Sequence, residues 1–163
     1  MNNLARIAVG ASLALSASFL ATSPAQAATT YSGDECTASN ENCFALFYNS
    51  GVNTWTSSCF LSNRSIPDLW GYSPNGATVV RFVFRAPGTH INTNLAVSWC
   101  YGSGEGQDVK NNAAAAASGE ASATNTVFYN SGYAGASQSF GPRSTGNLNS
   151  TLKNENASIQ RSS

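Results

Sequence analysis

Few side chains in this sequence could carry out catalysis, and they are spread along the chain. A nucleophilic triad needs a base, usually a histidine, and His90 is the only histidine. It lies among the turn formers Gly88, Thr89 and Asn92, so we expect an exposed histidine in a turn. The acids lie on separate polar segments and give no sign of the convergence that two-carboxylate hydrolysis requires. We therefore predict that the chain is not an enzyme.

The charge balance also excludes several kinds of partner. Eight Lys and Arg residues are matched by eight Asp and Glu residues. A nucleic-acid partner needs a dense basic face to neutralise phosphates, and an anionic membrane surface needs a basic segment. The glycine-rich run at residues 102–106 does not lead from a strand into a helix, so we do not expect a nucleotide loop there.

Residues 1–27 have the pattern of a secretion signal. Arg6 precedes an apolar run at residues 7–20, and Ala-Gln-Ala at residues 25–27 fits a small-x-small cleavage site. The run is shorter than the roughly 20 residues of a membrane span. No stop-transfer pattern follows it, which argues against the alternative of a retained anchor. We expect residues 28–163 to be secreted as one domain that is free of the membrane.

All four cysteines follow this signal, at Cys36, Cys43, Cys59 and Cys100. An even number in an exported chain predicts disulfides. Three pairings are possible, and we favour Cys36–Cys43 with Cys59–Cys100. The second bridge would close a loop of about 40 residues and contribute roughly 3–4 kcal/mol of stability. A zinc site is the weaker alternative, because the gaps are irregular and no Cys-x-x-Cys occurs.

The elements that must position these residues are predicted to be strands. The pentapeptide Phe-Tyr-Asn-Ser-Gly occurs at residues 47–51 and again at residues 128–132, which indicates one supersecondary unit used twice. Short apolar runs separated by turn signals, without βαβ alternation, predict an all-β sandwich. The predicted strands are residues 43–48, 54–61, 77–84, 95–101, 127–129, 137–140 and 157–161.

Two segments are predicted to be something other than regular strands. Residues 28–42 are polar and rich in Gly, Ser and Asn, so we expect an extended arm tied down by its cysteines. Residues 113–117 are five alanines in a row. Because alanine is the best helix former, a short helix is predicted within residues 108–118.

Several stretches of the chain match the pattern of one known family. They are the signal peptide, the early cysteines and residues 43–51, 106–114, 127–135, 146–148 and 153–158. With these stretches the chain resembles the secreted peptidase inhibitor family I36, whose type member is a metalloproteinase inhibitor. The resemblance covers most of the mature chain and is weakest at about residues 62–102. It implies a βγ-crystallin-like sandwich of two Greek-key motifs, with an insertion in or after the first motif. It also implies that Tyr48 and Tyr129 pack over their turns.

The resemblance leaves two registers for the first motif. Lys-Asn-Asn-Ala-Ala at residues 110–114 looks like Lys-Asn-Glu-Asn-Ala at residues 153–157. This match gives motif one about residues 43–118 and motif two about residues 125–162. The alternative counterpart is residues 75–79, which would leave a long structureless connection of a kind that is uncommon in compact domains.

We prefer the first register, in which the region between the early strands and residue 110 is an insertion. Residues 79–84 and 95–100 are then expected to pair as a hairpin around Pro87 and Gly88. The segment at residues 66–72 contains Pro67 and Gly71 and is expected to be a loop or a single helical turn.

The implied activity is inhibition by non-covalent occupancy of a protease cleft, with an extracellular protease as partner and the chain a monomer. A loop that enters a cleft must be rigid, because ordering a flexible loop costs affinity. The region at residues 100–106 is the first candidate, held by Cys59–Cys100, and the turn at residues 87–94 is the second. The candidate contact residues are Trp99, Tyr101, Gly102 and Gly104. Alternatively, both aromatic residues belong to the core and the glycines form a linker.

The resemblance also implies a possible cation site, because βγ-crystallin-type domains often bind calcium through a short motif. The motif has two Asn or Asp residues, two variable residues, then Ser or Thr and Ser. The candidate ligands are Asn111, Asn112, Asn154, Glu155 and Ser158. Calcium takes six to eight oxygens and prefers carboxylates. With one carboxylate in two degraded motifs, we expect weak binding or none and no required cofactor. The alternative for residues 154–158 is a turn whose side chains bond their own backbone. The alternative function for the whole chain is a calcium-binding or structural extracellular domain without a protease target.

Overall fold

The computed structural model describes residues 27–39, 42–51, 57–92 and 97–163, and only the backbone of residues 92 and 97–99. Residues 1–26 of the predicted signal lie outside this description. The described residues form strands and turns and no α-helix. The strands are β1 (Ala28–Ser32), β2 (Asp34–Glu35), β3 (Phe44–Phe47), β4 (Cys59–Ser62), β5 (Gly71–Tyr72), β6 (Thr78–Phe82), β7 (His90–Asn92), β8 (Val97–Trp99), β9 (Ala115–Ser118), β10 (Thr124–Asn130), β11 (Ala134–Phe140), β12 (Thr145–Asn147) and β13 (Ser158–Ser162).

The strands form several sheets, as the all-β prediction requires. A five-stranded sheet has the order β12-β9-β3-β4-β2, and a three-stranded sheet has the order β11-β10-β13. A second three-stranded sheet has the order β1-β6-β5, and β7 pairs with β8. One hydrophobic cluster contains Phe44 and Leu46 of the five-stranded sheet together with Val127 and Ile159 of the first three-stranded sheet. This common core is consistent with a β-sandwich.

The repeated pentapeptide begins in β3 and again in β10, and these two strands occupy corresponding places. Strand β3 lies between β4 and β9 and is antiparallel to both. Strand β10 lies between β11 and β13 and is also antiparallel to both. The N–H of Ala114 donates to the carbonyl of Phe47, and the N–H of Ala157 donates to the carbonyl of Phe128, each at 2.8 Å. The two halves therefore share one pattern of pairing.

The backbone has the same conformation around residues 110–114 and around residues 153–157. Asn111 and Asn154 both have a left-handed backbone, with φ of 62° and 60°. The N–H of Asn111 donates to the carbonyl of Asn156, and the N–H of Asn154 donates to the carbonyl of Ala113, each at 2.8 Å. These reciprocal bonds and the shared φ relate the two segments locally, in the correspondence that the preferred register uses.

The alanine run is a strand, so the predicted helix is wrong. Residues Ala115–Ser118 form β9, which is fully buried between β3 and β12. Alanine favours a helix by less than about 1 kcal/mol per residue, and two ladders of hydrogen bonds outweigh that preference. Alanine also suits the position, because β3 supplies the bulky Phe44, Leu46 and Phe47 on the neighbouring strand.

The five-stranded sheet is buried on both faces. On one face, Phe44, Leu46 and Ala116 join the common core. On the other face, a second cluster contains Phe47, Ala115, Ala117, Leu61, Ile91, Cys43, Cys59 and Cys100. Cys36 is partly buried and packs against this cluster. A strand buried on both sides has no polar alternation, which explains the continuous apolar run at residues 43–47.

The inserted hairpin is also wrong as predicted. Strand β6 does not pair with β8: it pairs in parallel with β1 and antiparallel with β5. Strand β8 pairs with β7 instead. Strands β1 and β5 occupy the two edges of β6, and the polar sequence of β1 gives no sign of this pairing. Residues 93–96 lie outside the described residues.

The disulfides pair as predicted, Cys36 with Cys43 and Cys59 with Cys100. The predicted arm at residues 28–42 is extended where it is described, and it is more than an arm. Its two strands are built into two different sheets, since β1 pairs with β6 and β2 pairs with β4. The segment at residues 66–72 is a turn that begins with a bridge between Ile66 and Ile159 and ends in β5.

Candidate functional site

The first candidate loop, residues 100–106, is anchored at its start by a disulfide and by backbone bonds. Cys100 is fully buried and bonded to Cys59. Its carbonyl accepts the N–H of Gly88 at 3.0 Å, and its own N–H donates to the carbonyl of Thr89 at 2.9 Å. The second candidate, the turn at residues 87–94, thus lies against the first, and residues 93–94 of it fall outside the described part.

The middle of the loop is fixed to the segment that enters β4. The N–H of Tyr101 donates to the carbonyl of Ser57, and the N–H of Ser58 donates to the carbonyl of Ser103, both at 2.9 Å. The hydroxyl of Ser58 donates to the carbonyl of Gly102 at 2.9 Å. The loop therefore adds a short irregular strand to the outer edge of the five-stranded sheet.

The end of the loop is packed under an aromatic ring. The N–H of Gly106 donates to the carbonyl of Phe84 at 2.9 Å. Gly104 has φ of +98°, and a Cβ added to it would lie 2.3 Å from Cγ of Tyr48. The ring of Tyr48 also meets that of Phe84 edge-on, with 5.7 Å between centroids. Only glycine combines this backbone with this contact, so Gly104 lets the loop pack tightly against the sheet.

Tyr101 is the loop's exposed aromatic side chain. It is 60% exposed, so the alternative that it belongs to the core is wrong. Trp99 lies in β8, and its side chain is outside the described part of the structure. Gly102 has φ of 115°, which lets the chain turn directly after Tyr101. The loop thus combines an exposed aromatic residue with a backbone that is bonded on three sides.

A small cavity of about 210 Å³ flanks the loop at Gly106, and no motif in the sequence predicted it. Tyr31, Val83 and Arg85 form the rest of its lining. Tyr31 is 60% exposed. Arg85 lies across Gly33, where an added Cβ would come within 2.0 Å of the Arg85 Cγ. Arg85 is exposed, and among the described residues it forms no ion pair.

The candidate calcium ligands are divided between two clefts. Asn112 and Asn154 line one cleft of about 220 Å³. Asn111 and Glu155 line a second cleft of about 290 Å³. Ser158 lies in neither: its buried hydroxyl donates to the carbonyl of Asn130 at 2.7 Å and accepts the N–H of Tyr133 at 3.1 Å. The structure therefore does not bring the five residues together.

Each of these clefts contains a lysine. Lys153 lines the first and Lys110 the second. The ammonium of Lys110 lies 3.0 Å from the Asp68 carboxylate and 2.9 Å from the Ser131 hydroxyl. The positive charge of a lysine in a cleft repels a divalent cation that enters the same cleft. The described residues also contain no cluster of three or more His, Cys, Asp or Glu side chains that could hold a metal.

Burial alone would raise the pKa of Asp68. The N–H of Trp70, the Lys110 ammonium and the Ser131 hydroxyl outweigh burial and hold that pKa below its ordinary value. The Asp68 carboxylate thus remains ionised and bound to Lys110. This ion pair joins the turn after Ile66 to the segment that precedes β9.

Within the described residues, carboxylates form ion pairs with basic side chains in Glu35–Arg64, Asp68–Lys110, Asp108–Arg81 and Glu120–Arg161. His90 lies within the second candidate loop, partly buried at the start of β7, and is not the exposed turn residue that was predicted. No helix within the described residues has the length and apolar character to cross a membrane.

Comparisons of the chain with protein-family models, curated proteins and solved structures return no match.

Proposed function

We propose that this chain is a secreted peptidase inhibitor that acts by placing the loop at residues 100–106 in the cleft of an extracellular protease. The observation that carries the proposal is the loop itself, which exposes Tyr101 while its backbone is fixed at both ends and in the middle. Two disulfides fit an oxidising compartment outside the cell. Metalloproteases are the proposed class, on the resemblance to family I36.

Rigidity is the property that an inhibitory loop needs. A flexible loop loses about 0.5–1.5 kcal/mol for each mobile side chain that binding immobilises. In this loop the disulfide, the β-bridge to Ser57 and the packing of Gly104 under Tyr48 have already fixed the backbone. The Tyr101 ring can therefore enter an apolar subsite with little loss of entropy. No covalent step is required.

The surface beside the loop extends the proposed contact. Tyr and Arg are enriched among the residues that dominate protein interfaces. Tyr31 and Arg85 supply both types at the cavity next to Gly106. The exposed positive charge of Arg85 would favour a protease with an acidic rim around its cleft.

We also infer the finer architecture, a βγ-crystallin-like pair of Greek keys. The corresponding places of β3 and β10 support it, as do the reciprocal bonds around Asn111 and Asn154. On this view residues between β4 and β9 include the insertion, and the insertion supplies the loop. A crystal structure in which the strands connect in another order would overturn this inference.

The test is a titration of the purified mature chain against a thermolysin-like metalloprotease. We expect a stoichiometric loss of protease activity. Tyr101→Ala should weaken inhibition at least about 10-fold, since exposed aromatic anchors at interfaces commonly contribute 2 kcal/mol or more. Tyr129→Ala is the matched control, because Tyr129 is an exposed tyrosine in the other half of the molecule.

Full protease activity at a micromolar excess of the chain would contradict the proposal for that protease class. Equal inhibition by Tyr101→Ala and by the unmodified chain would contradict the choice of loop. The alternative function, a calcium-binding domain without a target, predicts a melting temperature that rises with calcium. We expect no rise in 5 mM calcium (about the upper range of extracellular affinities), because Lys110 and Lys153 lie in the two clefts.

A further inference from the structure

A separate cleft of about 250 Å³ lies between β5 and the turn at residues 64–68. It shares no residue with the loop at residues 100–106 or with the cavity beside it. Its position is fixed, because Ile66 and Ile159 exchange both backbone hydrogen bonds, at 2.7 and 2.9 Å. Nothing in the proposed inhibition uses this cleft.

The walls of the cleft are mostly apolar. Tyr72 forms one wall and is 42% exposed. Buried Phe82 lies behind it, with 5.8 Å between the two ring centroids. Ile66 and Pro67 form the opposite wall. A concave apolar surface with a few polar groups at its rim is typical of small-molecule sites.

The rim carries one cation and one anion, and each already has a partner within the protein. Arg64, whose guanidinium lies 5.7 Å from the centroid of Tyr72, is paired with Glu35. Asp68 is paired with Lys110. A charged ligand would have to compete with these internal partners. A neutral ligand with hydroxyl groups can use the remaining hydrogen-bonding capacity without breaking either pair.

Arg64 has more hydrogen-bond donors than its contact with Glu35 uses. A guanidinium has five N–H donors in a planar fork, and the contact to Glu35 involves one of its terminal nitrogens. An apolar side chain from a protein partner would cover the other donors without satisfying them, which is unfavourable. The rim therefore favours a ligand that combines an apolar face with hydroxyl groups.

We propose that this cleft binds a neutral sugar ring, as part of a polysaccharide outside the cell. A pyranose has an apolar C–H face, which can lie against the apolar lining formed by Tyr72, Ile66 and Pro67, and equatorial hydroxyls, which can hydrogen-bond to Arg64 and Asp68 at the rim. The volume is below the roughly 300–1,000 Å³ of pockets for drug-sized ligands, so it matches a single ring. The rest of the chain would extend into solvent.

The test is native affinity electrophoresis of the full mature chain in gels that contain laminarin, xylan, mannan or, as a charged comparison, polygalacturonate. At least one neutral polysaccharide should retard the protein. Tyr72→Ala should weaken that retardation at least 10-fold. Tyr129→Ala is the control and should behave like the unmodified chain, since Tyr129 is 40% exposed and lies in another cleft.

Arg64→Lys provides a second test that keeps the charge pair with Glu35 and removes the planar fork. It should weaken retardation several-fold without changing the melting temperature, so it is informative even if Tyr72→Ala does not fold. The proposal is overturned if no neutral polysaccharide retards the chain, if only polygalacturonate does, or if both variants bind as well as the unmodified chain. None of these outcomes depends on protease inhibition.

Discussion

The same five residues, Phe-Tyr-Asn-Ser-Gly, lie in different surroundings in the two halves of the molecule. In the first half, Phe47 is fully buried and Tyr48 is partly buried over Gly104. In the second half, Phe128 is partly exposed and Tyr129 is 40% exposed. Strand β3 is buried on both faces, whereas β10 buries alternate residues on one face. The pentapeptide encodes the turn, and the segments added to the first half determine what covers it.

The outer edges of the two halves differ in the same way. Along one edge of β4 and of the two residues before it, three segments form backbone hydrogen bonds in succession. Residues 101–103 bond to Ser57 and Ser58, Arg85 bonds to Cys59, and Gly33 bonds to Leu61. Strand β11 has the corresponding place in the second half, and no described segment pairs with its outer edge. The N-terminal strands and the segments between β4 and β9 thus cover the sheet around β3, and that part of the molecule carries the candidate inhibitory loop.

The largest expected effect comes from removing the disulfide beneath this added layer. Replacing Cys59 and Cys100 by Ala should cost about 4 kcal/mol of unfolding free energy in the chain-entropy model, since they are 41 residues apart. Replacing Cys36 and Cys43, which are 7 residues apart, should cost about 2 kcal/mol. Urea unfolding of both double variants measures the difference. Equal losses would mean that the long loop is not what the second bridge restrains.

The next effect separates the two tyrosines. Tyr48→Ala should cost about 3 kcal/mol, because the ring covers Gly104 and meets Phe84. Tyr129→Ala should cost less than about 1 kcal/mol, as is usual for exposed side chains. The resemblance implies that Tyr129 packs over its turn like Tyr48, and its 40% exposure leads us to expect a smaller contribution to stability. Thermal unfolding of the two variants under the same conditions tests the contrast, which fails if their melting temperatures agree.

Much of the fold follows from local signals in the sequence. Residues 43–47 and 78–82 are rich in aromatic or β-branched residues, and both are strands. The favoured disulfide pairing is confirmed, although the number and spacing of the cysteines left three pairings open. The repeat of Lys-Asn near residues 110 and 153 marks two turns in which Asn111 and Asn154 both have a left-handed backbone.

The remaining features depend on residues that are distant in the chain. Strand β9 is a strand because β3 and β12 flank it, and no local property of five alanines expresses that. The pairing of β1 with β6 joins residues about fifty positions apart with an exposed, polar partner. The cavity beside Gly106 depends on Arg85 lying over Gly33. Hydrophobic periodicity carries no information about such contacts.

A third, smaller effect concerns the glycines of the loop. Gly104→Ala should cost about 2 kcal/mol, since the new Cβ meets the Tyr48 ring at a left-handed position. Gly106→Ala should cost about 1 kcal/mol, because its φ is +81° and nothing lies within 4 Å of the new Cβ. Chemical denaturation gives both values. If Gly106→Ala proved the more costly, the loop would not be packed under Tyr48.

The smallest effect is a dependence on pH that should occur in one cleft and not in its counterpart. A carboxylate whose pKa is lower in the folded chain than in the unfolded chain adds stability above the unfolded pKa, and this stability is lost as pH falls through the folded pKa. The pKa of Asp68 is lowered in this way. Its side chain is 40% exposed, so solvent screening limits the contribution to below about 1 kcal/mol.

Asp68→Asn should therefore be slightly less stable than the unmodified chain at pH 7, and the difference should shrink from about pH 4 downward. Lys110→Met should behave similarly, because it removes the partner of Asp68. Lys153→Met, at the corresponding place in the other half, should leave the pH profile unchanged, because Lys153 forms no ion pair among the described residues. Urea unfolding at pH 7 and pH 3 measures all three variants. Equal pH profiles for the Lys110 and Lys153 variants would contradict this prediction. Among the described residues only Lys110 pairs with a carboxylate, so only its replacement should change the pH dependence of stability.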